Sequence, residues 1–221
     1  MAISQFNLPT HQRAARKTLI TVAEWFDLTG GSTYAVTTAE PSDWATSYTS
    51  YYTKSGETYT AVTGDSAPTW AKNTYYGKAN REILGRRTED SSIEYNADIA
   101  TSTDILGINY TDINKTQPQQ DFDPYLILGG SKLGMKLNDI RKRNALTELS
   151  SFTLYVITAF VGDETNGYEA EKHIDCTITY NSIGGDSNVN FPISAYFSNE
   201  ITNGTVDKLA DDFTFTPDVN I

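Results

Sequence analysis

The chain has 221 residues, 38% of them hydrophobic and 20% charged, enough for one well-cored domain carrying an insertion and too apolar for a disordered tail. Its formal net charge of −11 argues against tight binding to nucleic-acid phosphates, an affinity that comes from cations displacing condensed counterions. The lone cysteine, Cys176, cannot form an internal disulfide, and nothing in its spacing suggests a redox or zinc site.

Residues 1–17 read as an arm in which Pro9 breaks any helix and Arg13, Arg16 and Lys17 supply a charge opposite to that of the whole chain. Such a segment docks on a neighbour. It lacks the continuous apolar stretch and cleavage pattern of a signal peptide, and no window approaches the length of a membrane span. Residues 18–221 read as one β domain interrupted at about 29–80 by an insertion. It begins with "TLITVAEWF", a strand with Leu19, Thr21, Ala23 and Trp25 on one face and Ile20, Val22 and Glu24 on the other.

The insertion is rich in Gly, Ser and Thr and holds seven of the 14 tyrosines together with Trp44 and Trp70. In it, "YYTKSGETYTAV" reads as two short strands around a Ser-Gly turn, and a second Tyr-Tyr pair follows 24 residues after the first. Rings at this density either build a small core without much aliphatic residue, the commoner use, or form a surface for sugar or a partner.

Beyond the insertion, "GRRTEDSSIEYN" reads as a two-sided strand, with Ser91, Ile93 and Tyr95 on a half-buried face and Ser92, Glu94 and Asn96 on a wet one. "DIATSTDILGINYTDINKT" continues the core, and "QPQQDFDP" breaks it. The helix "GGSKLGMKLNDIRKRNALTEL" aligns Leu133, Leu137 and Ile140 on one stripe and leaves a basic face with Lys132, Lys136, Arg141, Lys142 and Arg143. Four more strand-like runs, "SFTLYVITAFVG", "HIDCTITYNSIGG", "NVNFPISAYFS" and "FTFTPD", are separated by Gly, Asn and Asp turns. The count fits a two-sheet sandwich or rolled barrel.

Candidate chemistry is sparse. Alternation on a strand sends His173 and Asp175 one way and Cys176 the other, which without a bulge rules out a three-ligand metal site, and His173 reads as a surface histidine. "ILGGSKLGMKL" lacks the spacing of a phosphate-binding loop and reads as a turn into the helix. Glu89, Asp90 and Glu94 are the acids a hydrolase would use, but Arg86 and Arg87 beside them favour ionisation over the raised pKa that a general acid needs.

The blocks "EILGRRTEDSSIEYNADIATSTDILG", "TDINKTQPQQDFDPYLILGG", "KLGMKLNDIRKRNALTELSSF" and "YEAEKHIDCTITYNSIGGDSNVNFPI", in this order, resemble the major tail tube proteins of long-tailed bacteriophages. The joint pattern G-R-x-x-E-D-S-S-I-E, N-K-T-x-P-x-Q, F-D-P and S-I-G-G-D carries the resemblance, which covers residues 18–28 and 81–216. Arg87 stands where a glycine is usual, and the Tyr-rich insertion lies outside the shared core.

The resemblance implies an antiparallel β-sandwich or rolled barrel with one flanking α-helix. It implies six copies closing into a ring, and rings stacking into the hollow tail tube that conducts DNA during ejection. The expected partners are further copies of the chain, a tape measure protein in the lumen, and tail terminator and baseplate proteins at the ends. Double-stranded DNA would pass without tight binding. The expected location is the virion tail, assembled in the bacterial cytoplasm, with no catalysis, metal, cofactor or membrane. Arg86, Arg87, Glu89, Asp90, Arg141 and Arg143 are then candidate contacts between subunits, and Glu94 a candidate acid facing the lumen. The alternative is a carbohydrate- or receptor-binding β module, motivated by the aromatic density of residues 34–76.

Overall fold

The strand read in "TLITVAEWF" is covered on both faces, since Thr21, Val22, Ala23, Glu24 and Trp25 are buried in succession. The computed structural model describes residues 18–27, 31, 33–37, 40–56, 58–85, 92–126, 130–185 and 189–218. Over these the chain is mainly β, in antiparallel sheets, with one flanking helix of some length.

In chain order the strands are β1 Leu19–Phe26, β2 Thr33–Val36, β3 Tyr52–Ser55, β4 Thr58–Ala61, β5 Tyr75–Ile83, β6 Asp98–Thr103 and β7 Asn109–Lys115. They continue with β8 Gln119–Phe122, β9 Phe152–Asp163, β10 Gly167–Tyr180, β11 Ile193–Tyr196, β12 Ile201–Val206 and β13 Phe215–Pro217. The helices are α1 Trp44–Ser47 and α2 Lys132–Arg143. Two compact units result, one made of residues up to Ala23 and from Ile83 onward, the other of Glu24–Glu82.

The larger unit is organised by β10. Its first half, Tyr168–His173, pairs with β12, and its second half, Thr177–Tyr180, pairs with β11, which in turn pairs with β8. Between the halves the register with β9 slips and Asp175 takes a φ of 56°, a bulge that bends the strand and lets it pass from one sheet to the other. The two sheets meet inside, where Thr21 Oγ1 on β1 donates to Gln120 Oε1 on β8 at 2.5 Å, both residues buried. Val22, Tyr155, Ile157, Tyr168, Ala170, Val206 and Phe213 form one core cluster of this unit. At the β9–β10 turn Gly162 has a φ of 94°, and a Cβ there would lie 2.1 Å from the carbonyl oxygen of Gly167, so only glycine closes the turn.

Helix α2 follows from its sequence. Ser131 caps it, its Oγ accepting from the Gly134 amide at 3.1 Å, the stripe Leu133, Leu137 and Ile140 is fully buried, and Asn144 ends it in the left-handed conformation.

In the smaller unit each Tyr-Tyr doublet is divided by strand alternation. Tyr51 and Tyr75 turn inward to pack with Trp44 and Val62, while Tyr52 and Tyr76, paired across β3 and β5, turn outward. The Trp44 indole N–H donates to the Pro68 carbonyl at 2.7 Å. Glu24, on the β1 face it was read to share with Ile20 and Val22, is buried against Arg81, 2.5 Å away.

Two readings need correction. Residues 92–97 do not form a regular strand: Glu94 makes one isolated bridge with Gln119, Asn96 has a φ of 39°, and Tyr95 is exposed, not half-buried. "QPQQDFDP", read as a break, contains β8, and β12 was not anticipated. Among the described residues no helix is long and apolar enough to cross a membrane.

Candidate assembly surface

The run "DIATSTDILGINYTDINKT" folds as a hairpin of β6 and β7 that forms a two-stranded sheet of its own. Among the described residues neither strand pairs with any other, so both outer edges keep backbone donors and acceptors without a sheet partner. Opposed residues in an antiparallel pair share a face, so Ile99 with Ile113 and Thr101 with Thr111 lie on one side, Ala100 with Asp112 and Ser102 with Tyr110 on the other. Neither side is covered: every residue of the two strands except Ala100 is exposed.

The tip is apolar and ordered. Asp104 Oδ1 accepts the amides of Leu106 and Ile108 at 2.8 and 2.9 Å, Oδ2 accepts the Tyr110 hydroxyl at 3.1 Å, and Gly107 closes the turn with a φ of 79°. These donors, the Ile108 amide foremost, hold the Asp104 carboxyl below its ordinary range. The turn so fixed presents Ile105, Leu106 and Ile108 at 101%, 77% and 51% exposure. The Asp and Gly that make the turn were readable in the sequence, but aliphatic residues in a turn look the same whether a core or another molecule covers them.

At the base of the hairpin Glu94 and Gln119 exchange backbone hydrogen bonds, both of 2.8 Å, and the exposed Glu94 side chain lies at this bridge. Arg86, Arg87, Glu89 and Asp90 lie outside the described residues. Arg143 is engaged within its own chain, with Asp139 and Glu148 each 2.7 Å away, and Lys136 reaches Glu148 at 2.6 Å. Arg141, exposed, donates to Asn138 Oδ1. The hydrogen bond from Arg143 foremost, and then that from Lys136, depress the Glu148 carboxyl to about 2.

His173 is not at the surface. The bulge missing from the alternation argument is present, and His173 is 4% exposed, with Nδ1 3.1 Å from the Ser198 carbonyl and Nε2 3.3 Å from Glu171 Oε2. Both ring nitrogens thus face acceptors. The hydrogen bond from His173 holds Glu171 below its ordinary value, and burial pushes the Cys176 thiol up, away from nucleophilic use. Even with the bulge, no group of three or more His, Cys, Asp or Glu residues suited to a metal occurs among the described residues.

No protein-family model, curated protein or solved structure matches the chain.

Proposed function

We propose that the chain is a structural subunit that assembles with copies of itself into hexameric rings, stacked as the hollow tail tube of a bacteriophage virion and conducting DNA during ejection. The observation that carries this reading is the hairpin of β6 and β7. A two-stranded sheet is marginal in water, and this one leaves Ile99, Ile105, Leu106, Ile108 and Ile113 exposed with both edges unpaired among the described residues. Fully covering an exposed aliphatic side chain contributes about 1.5–3 kcal/mol, so in sum the five offset a large part of the entropy cost of association. A ring in which each copy covers its neighbour's edges disposes of them by closure.

The sequence resemblance supplies the specific identity of the assembly. In this reading the subunit is not an enzyme and takes no cofactor. Arg86, Arg87, Glu89, Asp90 and Arg141 contribute charge pairs between subunits, with Arg143 joining only by exchanging its internal partners. Glu94 faces the lumen, where carboxylates repel phosphate and let DNA slide. A tape measure protein fills the lumen before ejection, and terminator and baseplate proteins close the ends.

Negative-stain microscopy of the purified protein at rising concentration tests the proposal. Stacked rings or tubes with a central hole are expected. The double variant Ile105→Asp, Leu106→Asp should give only monomers with an unchanged circular dichroism spectrum. Persistent monomers of the native chain would remove the proposal, tubes that survive both substitutions would remove the hairpin as the contact that builds them, and a reconstruction placing Glu94 on the outer wall would remove its lumen role.

A further inference from the structure

The small unit carries an aromatic face that its own core does not use. Register places Tyr34 opposite Lys78, Lys54 opposite Tyr59, and Tyr52 opposite Tyr76, all on the side of the sheet away from Trp44 and Tyr75. The rings interlock there: Tyr34 stacks on Tyr59 at 4.0 Å with 6° between planes, Tyr52 meets Tyr34 edge-on at 4.9 Å, and Tyr76 meets Tyr59 edge-on at 5.2 Å. All four rings are half-buried.

Lys78 sits among them. Its Nζ lies 4.1 Å from the Tyr34 ring centre and 5.3 Å from that of Tyr52, and donates to the Tyr34 hydroxyl at 3.0 Å. Lys54 Nζ is 5.5 Å from the Tyr59 ring. No carboxylate pairs with Lys78 among the described residues, although the chain is strongly acidic. An ammonium held by ring faces and a phenol keeps its charge available to an anion from outside.

We propose that this face binds an acidic saccharide, one carrying about one carboxylate per sugar. The phenol hydroxyls match sugar hydroxyls, and Lys78 takes the carboxylate. A protein partner fits less well, because among the described residues of these strands the face offers only Val36 and Ala61 as aliphatic contacts. Single-stranded nucleic acid fits less well too: its bases need open ring faces, and Tyr34 and Tyr59 spend one each on the other. This inference stands whether or not the chain forms tubes.

Calorimetric titration of the full chain with oligogalacturonate, neutral oligogalactose and poly-glutamate tests it. Oligogalacturonate should bind at least tenfold more tightly than either of the others. Lys78→Gln should lose at least tenfold of that affinity, and Lys78→Arg should retain most of it, with near-ultraviolet circular dichroism confirming that both variants keep the tyrosine packing. Three results would overturn the proposal: no binding of oligogalacturonate, equal binding by Lys78→Gln, or poly-glutamate or oligogalactose binding as tightly. Equal binding of poly-glutamate would reassign the face to an acidic protein segment.

Discussion

Glu24 and Arg81 stand 2.5 Å apart with 2% and 9% of their side chains exposed, and a buried charge is tolerated only while its partner remains. Arg81→Met should therefore cost about 3 kcal/mol in urea unfolding, and adding Glu24→Gln should restore most of it. A double variant as unstable as the single one would show that the cost lies in packing of the arginine stem. The sequence placed Glu24 within a strand, on a face with Ile20 and Val22, but gave no sign of the ion pair, because its partner lies 57 positions away and no local pattern links the two. His173 was misplaced for a related reason. It read as a surface histidine because no motif gave it a role, whereas the Ser198 carbonyl that its buried ring meets lies 25 positions away.

Helix α2 was the most legible element, since a stripe at helical spacing, a serine cap and a basic last turn all point the same way. Strand β8 was the least. Its burial alternates as a strand's should, with Gln120 and Phe122 inside and Asp121 outside, but the inner position is a glutamine satisfied by Thr21, and polarity concealed the period. The ties that fasten α2 to the turn after it also set a pH dependence. Glu148 titrates near 2 in the folded chain against 4.5 ordinarily, so its contribution is full above pH 4.5 and fades as the pH falls toward 2. For a partly exposed network this is about 0.3–1 kcal/mol. Thermal unfolding should place Glu148→Gln below the native chain at pH 7, with the gap narrowing steadily toward pH 2. A gap that widened on acidification would contradict the assignment.

At the scale of the molecule, β9 and β10 lie amid buried neighbours, whereas among the described residues the hairpin of β6 and β7 pairs with no other strand. Hydrogen exchange of the monomer should find the β9 and β10 amides slowest and those of β6 and β7 fast, and concentration-dependent assembly should slow the hairpin selectively. Fast exchange of the hairpin in assembled particles would mean that other surfaces make the contacts. The sheet-rich class was readable from composition and spacing. The separateness of the hairpin was not, because a strand that will be covered by another molecule carries the same residues as one covered by its own chain. The Asp104 turn gives that arrangement a kinetic side. In the proposed assembly the Asp104 hydrogen bonds already shape the aliphatic turn, so the turn itself has less conformational freedom to lose on contact than an unbonded loop would. In that proposed assembly, what would delay capture is the mutual repulsion of chains with a net charge of −11, which reaches about 8 Å at physiological salt. Ionic strength would then act as a throttle on nucleation.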